Sequence, residues 1–496
     1  MYCYRRHGHN EMDEPRYTQP MMYQKIDNRK SVRDSYLDRL LKLQEVTAEE
    51  ADSLAKSRKE KLESQFQAAQ KEHFTDDNRS GEGIWSGYLG GEEDLAHDVD
   101  TGVPAGKLTY VLNQISRTPE GFTPHRKLKQ ILNSRAQAAV GDRPLDWAMA
   151  ELAAFGSLAL EGHPVRLSGQ DCGRGTFSQR HAVIYDSQNG RRHEILAHID
   201  EAQAPVNIIN SPLSEAGVLG FDYGYSLDCP NGLICWEGQF GDFVNTAQVI
   251  IDQFIFSAED KWNRLSGMVM LLPHGFEGSG PEHCSARIER FLTGAAEHNV
   301  QITYPTTAAQ YFHLLRRQVI RKWRKPLIVF TPKQLLRHPA VMSPLEEMTS
   351  GRFTRVIDDP QVPPESNPAR ILVGSGKVCV DLIKEREEQE RNDFAVIRVE
   401  QLYPFPADEI RTALEAYPQG TPVYWVQEEP RNMGAWYFIK VRWDEYGLED
   451  SWKISAITRP ESASPSTGSK KTHKIEQADL LAEAMGVAAT TSANSG

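Results

Sequence analysis

The stretch APVNIINSPLSEAGVLGFDYGYSLDCPNGLICWEGQF, residues 204–240, decides the fold. It opens on a short β-branched run, VNII, closed by Asn210, Ser211 and Pro212, which reads as a strand. Ser214 then precedes Glu215 and a run of small and apolar residues, the pattern that starts a helix. A second apolar run, LICW, follows and stops at Gly238. Strand, helix and strand in close succession make a βαβ unit, and the second run is apolar enough to be buried on two faces.

Outward from this unit the alternation continues. LDWAMAELAAFGSLALEG (145–162) has apolar residues on a 3.6 repeat and ends at Gly162, after which PVRLSG (164–169) reads as a strand. GMVMLLPHG (267–275), NVQITYPT (299–306) and PLIVFTP (326–332) are short runs typical of buried parallel strands. The spacing predicts a doubly wound α/β domain over 146–340. A proline-rich linker, VPPESNP (362–368), leads to a smaller α/β unit over 368–487. Its strands are ARILVGSGKV, DFAVIRVEQL and PVYWVQEEP, and its helices DLIKEREEQE and DEIRTALEAY. Before the first domain, MYCYRR (1–6) reads as a strand end, 26–145 as a helical arm and connector, and 488–496 as a disordered tail. Thr47 followed by Glu50 is a capping box that opens the arm's helix.

Composition narrows the functions. Of 496 residues, 56 are basic and 68 acidic, a formal charge of -12, which disfavours wrapping nucleic acid. No apolar run is long enough to span a bilayer. The 6 cysteines show no CxxC pair and no Cys/His metal spacing, so reduced thiols are expected.

Four segments carry chemistry. Glu215, at a helix opening, is either a solvated first-turn residue or a carboxylate walled by Leu213, Val218 and Phe221, whose desolvation would let it share a proton. Phe240 follows a strand in a Gly-bracketed turn, where an aromatic face can stack on a flat ring or simply fill a core. His274 and His283 flank a Gly-rich loop in LLPHGFEGSGPEHCSARIERF (271–291), as acid–base candidates or as hydrogen-bonded structural residues. Arg5, Arg6, His7 and His9 cluster in YRRHGHNE, suited to a diphosphate or merely a charged surface.

Taken together, CYRRHGHNE, SGQD-x-x-RGTF-x-x-RHAV, LSE-x-x-VLGF, GQFGDF, LLPHG-x-EG-x-GPEH-x-SAR, RVEQLYPFP and VQEEP, in that order, resemble the decarboxylating component of 2-oxoglutarate dehydrogenases. That resemblance implies a transketolase-like fold, an aminopyrimidine-binding domain over 146–340, a C-terminal domain over 368–487, and residues 1–25 as the end of a diphosphate-binding domain. The family's Gly-Asp-Gly metal motif is absent, so the Mg²⁺ ligands are expected outside this chain, which would be a C-terminal half, inactive alone. Carried over by position, Glu215 would bond the ring nitrogen of thiamine diphosphate, while Phe240 and Gln239 hold its aminopyrimidine. His283 would bind substrate or donate a proton, and His9 would approach the diphosphate or the substrate as a further catalytic residue. The implied substrate is 2-oxoglutarate, or 2-oxoadipate as the alternative. The implied partners are the lipoyl domain of dihydrolipoyl succinyltransferase and a second copy of the chain, with no nucleic acid or membrane. The compartment would be bacterial cytoplasm or mitochondrial matrix. A non-catalytic interaction module is the rival reading. Arg317, Arg352 and Gln401 would mark an effector site, but Asp408 and Glu409 stand where arginines would bind acetyl-CoA, so weak or absent regulation is expected.

Overall fold

The computed structural model describes residues 3–70, 83–94 and 98–487. They form two compact units, Met1–Asp77 and Asn78–Gly496. The expected tail, 488–496, lies outside the described residues, as do Met1 and Tyr2.

The first unit is helical: α1 (Pro20–Asp27), α2 (Val32–Lys42) and α3 (Ala48–Ala69). Ser31 caps α2 by accepting from the Asp34 amide, and the Thr47–Glu50 capping box forms with both reciprocal bonds. No residue of α2 or α3 is buried, as a solvated arm requires. The strand expected at 1–6 is not seen in its described part, since Cys3–Arg6 has no ladder. A single extended segment cannot satisfy its own backbone groups and needs a neighbouring strand.

The second unit opens with α4 (Ala105–Gln114), α5 (Arg126–Ala139) and α6 (Trp147–Leu160). Within the stretch expected as arm and connector, residues 105–139 are thus largely helical. Leu108, Val111, Leu112 and Ile115 recur at helical spacing and are fully buried beside Phe155 and Leu158 of α6. There follow β1 (Val165–Gly169), β2 (Val183–Tyr185), β3 (Arg192–Glu194), β4 (Val206–Asn210), α7 (Glu215–Leu227), β5 (Leu233–Glu237), α8 (Gln248–Ile250, continued by a π turn), α9 (Ala258–Trp262), β6 (Val269–Pro273), α10 (Ile288–Gly294), β7 (Gln301–Thr303), α11 (Ala308–Ile320) and β8 (Leu327–Thr331). The remainder is β9 (Val356–Ile357), β10 (Arg370–Gly374), α12 (Lys377–Glu388), β11 (Phe394–Val399), β12 (Gln401–Tyr403), α13 (Ala407–Glu415), β13 (Val423–Pro430), α14 (Trp436–Glu445), β14 (Ile454–Arg459) and α15 (Lys470–Ala484).

Two sheets organise these elements, in the orders β12-β7-β8-β6-β5-β1-β4 and β14-β13-β10-β11-β9. All six strands of the first sheet before β12 pair in parallel, as their apolar sequences predict. The boundary at the linker is less clean than the sequence suggests. β12 crosses back to close the first sheet antiparallel to β7, and β9 precedes the linker yet pairs with β11 of the second sheet. In the first sheet Gly169 is level with Glu237, and Pro273 with Thr331. The loops that follow β1, β5, β6 and β8 therefore leave one common edge, where side chains of open α/β sheets meet ligands.

Candidate active site

Phe240 stands three residues beyond the end of β5, at the cap of a 3-10 segment, Gly241–Ala247. Its ring meets His283 edge-on at 4.5 Å, Phe177 at 5.4 Å and Phe243 at 5.7 Å. The structure thus brings together two of the expected residues, Phe240 and His283, and adds Phe177 and Phe243. Gln239 is half-buried beside Phe240. Phe177 belongs to the RGTF run after β1, and only the concentration of unusual residues there could have flagged it.

The loop bearing His283 is fixed from two sides. Asp242 Oδ1 accepts from the backbone amides of Cys284 and Ser285, both at 3.0 Å, and Lys333 Nζ donates to the carbonyls of His283 and Gly275. Gly241 has no alternative residue at this contact, because a Cβ would lie 2.4 Å from Ala286 Cβ and 2.7 Å from the Pro273 carbonyl. The imidazole is thereby left half-buried against the aromatic rings.

His274 behaves differently. It is 1% exposed, its Nδ1 accepts from the Ala286 amide at 3.0 Å, and its Nε2 lies 2.7 Å from Glu429 Oε1 of β13. The acceptor role of Nδ1 assigns the proton to Nε2, which donates to the carboxylate. Both nitrogens are spent, so His274 ties the loop to the second sheet and is not the acid–base group the sequence allowed.

Glu215 opens α7 behind Ser214. Its Oε2 accepts from Thr246 Oγ1 at 2.8 Å, and the same hydroxyl lies 3.0 Å from the Phe243 carbonyl. The carboxylate is therefore held against the 3-10 segment that carries Phe240 and Phe243. The expected apolar wall is a correction: Val218 is buried, but Leu213 and Phe221 are 59% and 58% exposed. Phe221 instead lies under the Arg166 guanidinium at 5.0 Å. Helix α7 presents Phe221 outward because its buried stripe, Val218, Leu219, Asp222 and Tyr223, lies on the other face, and Leu213 precedes the helix.

Below the edge sits a charged group that sequence reading missed. Arg180, 1% exposed, donates to Glu151, to both oxygens of Glu237 (2.8 and 2.6 Å) and to the Cys172 carbonyl, and Tyr311 donates to Glu151 at 2.7 Å. Two carboxylates around one guanidinium leave a net negative charge, and burial pushes the Glu237 carboxyl up. No local pattern announces such a cluster, because its members are 29 and 57 residues apart.

His9 lies in the first unit, exposed, with Nδ1 2.8 Å from Asp13 Oδ2 and Nε2 3.1 Å from Asn10. The His9 amide, then its ring, hold the Asp13 carboxyl below the usual range. Arg5, Arg6 and His7 are exposed in the same segment.

Of the residues expected at an effector site, Arg317 and Gln401 are bonded to each other, and Arg352 stands exposed beside Asp98. Gln401 lines a cavity of about 330 Å³, whereas Arg317 is 1% exposed and bonds Gln301 at 3.1 Å and Gln401 at 3.0 Å. Arg352 is exposed, 3.8 Å from Asp98. Glu93, Glu297, Asp408 and Glu409 face the cavity with Arg355 and Arg442. Burial opposes ionisation of Glu93, but Arg355, Arg321 and Arg317 hold its carboxyl at about 2.

All 6 cysteines are free thiols, and no helix among the described residues is long and apolar enough to cross a membrane.

Comparison with known proteins gives three family matches in chain order. Residues 1–76 match "Dehydrogenase E1 component", 143–339 "Transketolase, pyrimidine binding domain" and 342–485 "2-oxoglutarate dehydrogenase C-terminal". Among curated relatives, the 2-oxoglutarate dehydrogenase E1 component of Cupriavidus necator is 46% identical over 97% of this chain and 50% of its own length. Those of Coxiella burnetii and Brucella canis are 43% and 44% identical over 98% of this chain, and 52% and 50% of theirs. The chain spans about half the length of the curated relatives it matches.

Proposed function

Because the chain belongs to the 2-oxoglutarate dehydrogenase E1 family, we propose that it furnishes the aminopyrimidine-binding half of a thiamine-diphosphate site for oxidative decarboxylation of 2-oxoglutarate. The observation that carries this reading is Glu215 tied by Thr246 to the segment bearing Phe240, with His283 against the same ring. This donor set suits the group: a carboxylate for a ring nitrogen, an aromatic side chain for a flat heterocycle, and an imidazole nearby. When bound, thiamine diphosphate supplies a carbon acid and an electron sink for loss of CO₂ from a 2-oxo acid.

The chain's own residues then divide the work. Thr246 engages one oxygen of Glu215, leaving the other to hold a proton at the cofactor's ring nitrogen. Phe240 and Gln239 set the plane of that ring. His283, oriented by Asp242 and Lys333 through its loop, serves the substrate carboxylate or a proton transfer. His9 would serve the diphosphate, and Mg²⁺ would be held by residues outside this chain. The acyl group would pass to the lipoyl domain of dihydrolipoyl succinyltransferase. Leu213, Phe221, Val249 and Trp262, all at least 48% exposed, suit the interface of a homodimer. Acidic residues around the 330 Å³ cavity disfavour acetyl-CoA there, so Gln401, Arg317 and Arg352 would not confer activation by it.

The test is a chimera in which this chain replaces the matching half of the Cupriavidus necator relative. It should reduce ferricyanide in a 2-oxoglutarate-dependent manner, and Glu215→Gln should abolish that reduction. A folded chimera that binds the cofactor yet is inert, or one indifferent to Glu215→Gln, overturns the reading.

A further inference from the structure

The largest cavity described lies away from Glu215, on α5 and the loop after β1. It is an open groove of about 820 Å³, a size that accommodates an organic ligand. Its floor is apolar: Leu128 and Ile131 of α5, Met149 of α6, Val183 and Ile184 of β2, and Met342. Its rim carries four cations, Lys127, Arg143, Arg174 and Arg337, beside the side chains of His125 and His181. The one carboxylate there, Asp146, is used as the cap of α6, accepting from the Met149 amide at 2.9 Å.

Three features separate this groove from an ordinary charged surface. The chain as a whole carries -12, so four guanidinium or ammonium groups around one apolar hollow run against the general charge. Among the described residues, Lys127 and Arg143 make neither a salt bridge nor a side-chain hydrogen bond, although acidic side chains are abundant elsewhere. The loop that forms one wall holds Asp171, Ser178 and His181 in the left-handed region, at φ 56°, 56° and 44°. Such conformations are disfavoured for residues other than glycine and persist where the surroundings impose them. Burial and then the neighbouring arginines Arg135, Arg337 and Arg174 push the His181 imidazole down to about 4, which reports the positive field in this wall.

We propose that this groove binds an amphipathic carboxylate, its apolar body lying over Leu128, Ile131 and Met342 and its anionic end held by Lys127 and Arg143. A purely hydrophilic polyanion would leave the floor wet, and a neutral lipid would leave the two cations unpaired. Only a molecule with both parts satisfies both surfaces. The same loop carries Phe177 to the ring of Phe240, so an occupant would be felt at the candidate active site through Ser178 and Gln179. The proposal itself does not depend on what happens there.

The experiment is calorimetric titration of the full chain with decanedioate. Decyltrimethylammonium and sodium sulfate serve as probes sharing only the apolar body or only the anionic charge. Decanedioate should bind at least tenfold more tightly than either. Lys127→Glu with Arg143→Glu, both near the surface, should weaken it at least tenfold further without changing the circular dichroism spectrum. Ile131→Asp should do the same through the floor, and two-dimensional NMR of the methionine methyls should show Met149 and Met342 shifting on titration. Equal binding of sulfate and decanedioate, binding that survives the charge reversal, or no binding at millimolar concentration would each overturn the proposal. If the charge-reversed chain fails to fold, Lys127→Ala with Arg143→Ala probes the same two cations by the same titration, and undiminished affinity there overturns the proposal equally.

Discussion

Replacing Arg180 with methionine removes the one cation between Glu151 and Glu237 while nearly keeping the volume. In the native chain that guanidinium donates to both carboxylates and to the Cys172 carbonyl, with Arg180, Glu151 and Glu237 all buried. Taking it away leaves two buried carboxylates facing each other, a loss of about 3–5 kcal/mol by comparison with other buried pairs broken on one side. The deficit has a definite pH signature. Burial already raises the Glu237 carboxyl, and without the opposing Arg180 guanidinium it rises further. The resulting penalty is fully present above the folded pKa and relieved as pH falls through it, so the variant closes on wild type on acidification. Urea unfolding between pH 4 and pH 8, followed by tryptophan fluorescence, reads this directly. A gap that stays constant across that range would refute the reasoning. So would a triple variant, Arg180→Met with Glu151→Leu and Glu237→Leu, less stable than Arg180→Met alone, since removing all three charges should recover most of the loss.

Three further outcomes follow from the structure. Glu93, held from 4.5 down to about 2, contributes about 3 kcal/mol that is present above pH 4.5 and lost as pH falls toward 2; acid titration of wild type against Glu93→Gln should show it only in wild type. Gly241→Ala should displace the His283 loop, because its Cβ would sit 2.4 Å from Ala286 Cβ, costing about 1–3 kcal/mol and altering the His283 ring signals in NMR. Thr246→Val frees the Glu215 carboxylate at a cost of only about 1 kcal/mol in stability, and in the chimera it should lower kcat roughly tenfold with KM unchanged. Unchanged kcat would mean that the hydroxyl does not position the acid.

Local pattern was enough for much of the architecture. The strands β1, β5, β6, β7 and β8 stood out because each is a short apolar run between turn residues, as burial on both faces favours, whereas β4 at the sheet edge buries only Val206 and Ile208. The Thr47–Glu50 capping box was legible because its two residues are close in sequence, and Ser214–Glu215 marked the start of α7 although the Ser214 side chain makes no capping bond. The helix over 105–114 has a complete apolar period, but Gly102, Pro104 and Gly106 at its start mask it in the local pattern. At the site, Phe240 and His283 could be named from motifs, yet their contact joins loops from two strands. Which histidine is free was not readable at all: His274 and His283 look equivalent in sequence, and only the partner Glu429, 155 residues away, distinguishes them. The exposure of Leu213 and Phe221 was equally hidden, because a helix with apolar residues on two faces does not say which one meets the sheet.

The return of Gln401–Tyr403 to lie against β7 makes the two α/β modules a dovetail rather than beads on a string. Severing the chain at the proline-rich linker would strip the larger sheet of its outermost strand and bare the amides of Gln301–Thr303 to any passing extended chain. The smaller module would lose β9 in the same stroke. Evolutionary shuffling or laboratory grafting of either piece must therefore carry its few borrowed residues along, and the pair is inherited as one folding block.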